Sequence, residues 1–177
     1  MRTLYVKLTS AYFGWYVVAA LFFVSFLAVG GRQGFGVFVK TWEDEFATSV
    51  SVISVAAAIG WLVNGISQPI YGSFIDRYGG QPVLLAAVVM LGATTVAMSF
   101  MTNVYMLMFL YGFLASFASG GLAPATVASI LARWFRIKRG LAISIALSGV
   151  SAGGMIVVPF MAYVMDYTSW QVSWALI

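Results

Sequence analysis

Arg32 lies in the run Gly30-Gly31-Arg32-Gln33-Gly34-Phe35-Gly36 and is the one charge inside any stretch long enough to cross a bilayer. A cation at the centre of a membrane helix costs about 2.5–3.5 kcal/mol on insertion scales, so its retention points by default to function. A guanidinium can grip a carboxylate with two parallel donors, which an ammonium cannot. No acid stands one helical turn away, where Ala28, Val29, Phe35 and Gly36 are found. The five acids, Glu43, Asp44, Glu45, Asp76 and Asp166, are expected in loops. The counter-ion is then a bound anion or a carboxylate from elsewhere. The neighbouring glycines weaken the helix and expose backbone groups, as in the broken helices of transporters. In the competing reading Arg32 snorkels outward to the headgroups, since Lys40 at the end of the stretch is only about 12 Å away at helical rise. Tyr111, about 10 Å below the same membrane face on a later stretch, is a candidate co-lining residue. Asn64 and Gln68 sit one turn apart with Trp61 on the same face. Such amides either line a polar cavity or, more commonly, bond neighbouring helices, with Asn64 expected several ångströms deeper than Arg32. The candidate substrate-binding residues are Arg32, Tyr111 and Asn64.

Composition sets the elements that position them. The chain has 177 residues, 62% hydrophobic and 8% charged, with mean hydropathy +0.98. A soluble domain carries about 25% charged residues, so this is an all-α polytopic membrane protein. Cys and His are both absent, which removes disulfides, thiolate and Ser-His catalysis and His-ligated metals. No catalytic residue, metal or cofactor is expected, and the net charge of +4 reads as membrane topology rather than nucleic-acid binding. At roughly 20 apolar residues per crossing, five spans are expected at about 14–39, 50–70, 83–101, 105–131 and 141–165, with a sixth beginning near 171. Residues 1–13 do not read as a cleaved signal peptide, because the apolar run that follows is too long.

With the N-terminus inside, one side receives Arg2, Lys7, Arg77, Arg133, Arg136, Lys138 and Arg139, and the other receives Lys40 with Glu43, Asp44, Glu45 and Asp166. Cytoplasmic loops are the ones enriched in Lys and Arg, so a cytoplasmic N-terminus in the cell membrane is expected. The third span is nearly all aliphatic, its Thr94, Thr95 and Ser99 hydroxyls able to bond back to their own helix, and reads as lipid-facing. The first, fourth and fifth are rich in Gly, Ala and Ser and read as a bundle interior. Pro124 and Pro159 are expected to kink the fourth and fifth helices.

Between the second and third spans runs Gly72-Ser73-Phe74-Ile75-Asp76-Arg77-Tyr78-Gly79. Gly72 and Gly79 suit positive φ or close packing, and Asp76 suits a neighbouring helix N-terminus. The pattern Gly72-x3-Asp76-Arg77-x-Gly79 resembles the loop signature of the major facilitator superfamily. In that family the loop is understood as a latch between conformations, although Gln81 and Pro82 stand where two basic residues are usual. A second run, Trp134-Phe135-x-x-Lys138-Arg139-x-Leu141-Ala142 with Ala146, Ser148-Gly149 and Gly153, resembles the fifth-span signature of the monocarboxylate transporter family. Phe13-Gly14-Trp15 is similar to that family's start. Read physically, Gly149-x3-Gly153 puts two notches on one helix face, so Lys138, Arg139, Gly149 and Gly153 form a helix-packing signature. Gly112 stands where drug-proton exporters carry an Arg in the fourth span, and Gly154 where they carry a proline, which disfavours that class.

The resemblance implies a secondary transporter of twelve helices in two six-helix halves, with alternating access by rocking about a site near mid-membrane. Residues 1–177 would supply most of the N-terminal half, and the C-terminal half would be its partner. The cargo would be a small organic anion, monocarboxylate-like, with protons or exchange as the drive. The lipid bilayer is the other partner. A carrier of another substrate class, or a non-transporting membrane scaffold, is the alternative. An intramembrane protease is disfavoured, since His is absent and Asp76 and Asp166 fall at opposite membrane faces.

Overall fold

Hydrocarbon offers no partner for a backbone N–H or C=O, so a chain this apolar must satisfy those groups within each segment, which makes helices. The computed structural model describes residues 2–135 and 138–175, with the helical backbone alone for residues 2–13. Arg136 and Ile137, in the middle of the basic run, and Leu176 and Ile177 lie outside the described residues. Among the described residues, five helical stretches are long and apolar enough to cross a membrane: Gly14–Glu45, Val50–Tyr78, Gly80–Met98, Val104–Trp134 and Arg139–Tyr167. The first comprises α1 (Arg2–Gln33) and α2 (Phe35–Glu45), α3 is Val50–Tyr78 and α4 is Gly80–Met98. The fourth stretch is composite: α5 (Val104–Leu107), a π-helical segment over Met108–Ala115, α6 (Ser116–Gly120), a turn, and α7 (Pro124–Trp134). Then follow α8 (Arg139–Tyr167) and α9 (Trp170–Ala175), which begins where the sixth span was expected.

Several helices outrun their apolar stretches, and this corrects two expectations. The acids are not in loops: Glu43, Asp44 and Glu45 ride on α2, Asp76 on α3 and Asp166 on α8. Apolarity marks the hydrocarbon thickness, whereas helix geometry continues into the interface. Pro124 does not kink a helix either. It is the first residue of α7, where its missing N–H has no helical acceptor to lose. Pro159 lies inside α8, which continues through it.

The tightest seam joins α1 and α8. A Cβ at Gly149 or Gly153 would run into the backbone carbonyls of Phe22 and Phe26 respectively. The two notches therefore let α8 lie directly on the backbone of α1, the small-residue contact that membrane helices use in place of a hydrophobic driving force. In α4, Thr94 and Thr95 turn their hydroxyls back to the carbonyls of Met90 (2.5 Å) and Leu91 (2.9 Å), which frees that helix for an aliphatic surface.

The core has two apolar parts. At one end Phe35, Phe38, Trp42, Tyr111, Trp170 and Trp174 cluster with Ile53 and Met161. Trp42 and Phe38 are fully buried, and the Trp170 indole donates to the Glu45 carboxylate, clasping α9 onto α2. At the other end Val18, Leu21, Tyr71, Ile75, Val127, Leu131 and Ala146 form a second cluster. Every span crosses from one to the other, and several polar or small residues lie between them: Ser25 and Arg32, Asn64 and Ser67, Ser116 and Ser119, Gly149 and Gly153. Replacing Gly153 with Leu should lower the thermal stability of the complete protein in detergent by at least about 1–3 kcal/mol, the usual cost of overpacking. Gly72→Ala, where nothing lies within 4 Å, should leave melting unchanged. Equal melting of the two variants would remove the α1–α8 seam from the account.

Candidate functional site

The polar belt between the two clusters is built by α1, α3 and the composite fourth span. Gly34 interrupts the first span, and Arg32 stands two residues before that break. Its side chain reaches across the bundle, where Nη1 donates to Ser119 Oγ at 2.8 Å. The guanidinium carbon lies 4.5 Å from the centre of the Trp61 indole, a cation–π contact. Snorkelling would carry the head group toward the Lys40 end, but it points instead to a residue two turns deeper along the fourth span than Tyr111. Tyr111 keeps the level of the Arg32 backbone: its hydroxyl donates to the Arg32 carbonyl at 3.5 Å, and its ring stacks on Phe35 at 4.4 Å.

Asn64 reaches the same Ser119 oxygen from α3. Its Nδ2 donates to Ser119 Oγ at 3.0 Å and to the Ser116 carbonyl at 3.3 Å, while its Oδ1 accepts from Gln68 at 3.3 Å. Asn64 and the Arg32 guanidinium therefore meet at one depth. Counting residues placed them apart because it ignored the length of the Arg side chain. Both amide hydrogens of Asn64 are engaged by the fourth span, so this residue ties helices together within the site. Ser119 donates its own proton to the Ser116 carbonyl at 3.0 Å, and the Ser116 hydroxyl donates to the Tyr111 carbonyl at 2.8 Å. Neither serine was singled out from the sequence. In a Gly- and Ala-rich span a hydroxyl reads as a packing residue, and the one available signal was the polar pair Ser116-x-x-Ser119.

Arg32 retains two donors without partners. Nε and Nη2 are shielded from solvent and donate to no described group, and no described carboxylate pairs with this cation. Those two atoms form one edge of the guanidinium, the edge that meets both oxygens of a carboxylate at once. Arg32, Ser119, Ser116 and Tyr111 line one side of a cavity of about 390 Å³. Its remaining walls are largely apolar, among them Val24, Ala28, Val88 and Leu91. Trp61, 70% exposed, lies against the guanidinium and is not among the residues lining that cavity. The arrangement can hold an organic anion by its charged end and leave its carbon skeleton against hydrocarbon side chains.

The other expected groups separate. Asp76 accepts from Arg133 Nη2 at 2.6 Å, so it pairs with a side chain at the end of α7 rather than with a helix N-terminus. Arg77 lies over the Tyr78 ring at 5.3 Å. Gly79, with φ of 89°, makes the turn between α3 and α4 alone. Gly72 is plain helix with open space beside it, contrary to expectation, because α3 runs six residues further to Tyr78. Of the packing signature, Gly149 and Gly153 meet α1, whereas Lys138 and Arg139 are exposed at the start of α8.

Residues 21–177 match the family described as Major Facilitator Superfamily. The uncharacterized MFS-type transporter YcxA of Bacillus subtilis is 26% identical over 169 residues, covering 96% of this chain and 41% of that protein. Monocarboxylate transporter 9 of Gallus gallus is 32% identical over 143 residues, covering 79% of this chain and 27% of that protein. Monocarboxylate transporter 13 of Bos taurus is 26% identical over 158 residues, covering 89% and 37%. The chain thus spans between about a quarter and two-fifths of the length of these relatives.

An uncompensated cation in the belt costs stability, so Arg32→Met should melt no lower than the parent and should gain about 1 kcal/mol or more; a clear fall in melting temperature would show that Arg32 supports the fold. The exposed Asp76–Arg133 pair should yield a coupling of no more than about 1 kcal/mol in a double-mutant cycle.

Proposed function

From the premise that the chain belongs to the Major Facilitator Superfamily, we propose that it is part of a secondary transporter that carries small organic anions of the monocarboxylate type. The observation carrying this reading is Arg32 itself, a residue in the wall of a largely apolar cavity whose Nε and Nη2 have no partner among the described residues. A carboxylate is the group whose geometry fills two parallel guanidinium donors. Binding it would also supply the counter-charge that the described residues do not provide. Tyr111 closes the site toward the aromatic cluster, and Asn64 fixes the fourth span beside Arg32.

Transport would proceed by alternating access, with this bundle rocking against a second block around the anion. Asp76, Arg133 and the Gly79 turn lie at one membrane face, where a change of pairing would accompany that rocking. No acid lies in the polar belt and His is absent, so a coupled proton would travel on the substrate carboxylate or on a group outside this chain. Exchange of one anion for another needs no such group. Arg77, Arg133, Lys138 and Arg139 at one end, against Glu43, Asp44, Glu45 and Asp166 at the other, support a cytoplasmic N-terminus in the cell membrane.

Uptake of radiolabelled lactate, pyruvate, oxalate and formate by the complete protein in proteoliposomes tests the reading. At least one should enter above the protein-free background, and Arg32→Ala should reduce that uptake at least about tenfold, the scale of losing a charged hydrogen-bond pair. Unchanged uptake by Arg32→Ala would remove Arg32 from the mechanism.

A further inference from the structure

The orientation of the guanidinium turns on a neutral residue. We propose that Ser119 is a positioning residue that selects which edge of Arg32 meets the anion, an inference that rests on Arg32 being the anion-binding group. A guanidinium can offer a carboxylate its end, through both Nη atoms, or its side, through Nε and Nη2. Ser119 takes a proton of Nη1, the nitrogen that only the end-on mode needs, and so favours the side, where neither nitrogen is engaged. Trp61 covers one face of the plane and limits rotation about the side-chain bonds. Of the three nitrogens, the two that remain unpartnered are Nε and Nη2, as this division requires.

Hydrogen-bond accounting shows why a serine serves here. The proton of Ser119 goes to the Ser116 carbonyl, and its oxygen receives Asn64 Nδ2 and Arg32 Nη1. A hydroxyl has one proton and two lone pairs, so the residue is saturated and acts toward Arg32 as an acceptor alone. It is also uncharged. A carboxylate at this position would orient the guanidinium equally well, but it would neutralise the charge that attracts the anion. A neutral acceptor holds the cation in place and leaves its charge available. Alanine at 119 would release Nη1 and Asn64 Nδ2 together, and the guanidinium could then present either edge.

The test uses the complete protein in proteoliposomes with radiolabelled lactate, pyruvate, oxalate and formate, and a melting curve for each variant. Ser119→Ala should raise KM for the transported anion about tenfold, the effect of losing a hydrogen bond to a charged group, with kcat nearly unchanged. Ser119→Thr, which keeps the hydroxyl, should restore KM to within about twofold of the parent, inside the range of a retained hydrogen bond. Ser119→Asp should abolish uptake while melting no lower than the parent, a pairing of effects that a purely structural role would not produce. Parental KM in Ser119→Ala, or a threonine variant no better than alanine, would overturn the inference. Failure of the broader reading is distinguishable, because parental KM in Arg32→Gln, or uptake of none of the four anions, would overturn both. An impaired Arg32→Gln beside a parental Ser119→Ala would overturn the role of Ser119 alone.

Discussion

A guanidinium within an apolar bundle depends on the protein for its partners, because lipid supplies no acceptors. Arg32 is solvated incompletely: a serine oxygen takes one nitrogen, an indole covers the plane, and an edge is left over. The surrounding architecture follows from holding the cation in that condition. Three spans must converge at one level, and each carries small or polar residues there. The core divides about this belt into one end rich in aromatic side chains and another that is mainly aliphatic. Stability is placed in the two clusters, and the layer between them is left for chemistry.

The seam between α1 and α8 makes the convergence possible. Gly149 and Gly153 bring α8 onto the backbone of α1 at the turns around Phe22 and Phe26, about two to three turns below Arg32. With α8 seated there, α1 is fixed in rotation, and Arg32 faces the fourth span instead of lipid. At the far end the Trp170–Glu45 contact ties α9 to α2 and closes the aromatic cluster. These contacts join residues more than a hundred positions apart, yet each uses a short-range device: a missing Cβ, or a single carboxylate.

Much of this was legible in the sequence. The spans, the oddity of Arg32 and the paired glycines follow from composition and spacing, because hydrocarbon punishes polarity and Cβ atoms prevent close approach. The destination of the Arg32 side chain was not legible. Reach across a bundle depends on which helices are neighbours, and a single chain read in order does not say that residue 119 faces residue 32. Ser119 itself was hidden because Ser in a Gly- and Ala-rich span serves packing far more often than polar recognition. The end of α3 was misjudged for a different reason. Gly72 suggested positive φ or close packing, but a glycine can remain plain helix when the residues after it, through Tyr78, continue the turn.

The π-helical segment over Met108–Ala115 carries a consequence of phase. A π turn takes up about one residue more than an α turn, so the helix emerging after it is rotated relative to the one entering it. Tyr111 and Ser116, five positions apart, are joined by a hydrogen bond, and Ser119 inherits its direction from that offset. The angular setting of the Arg32 contact is thus stored eight residues upstream, in backbone geometry rather than in any side chain that touches the cation. An insertion or deletion of one residue there would turn the lower part of the span by about 100°, the helical step, and swing Ser119 off the belt while leaving every residue of the site in place in the sequence.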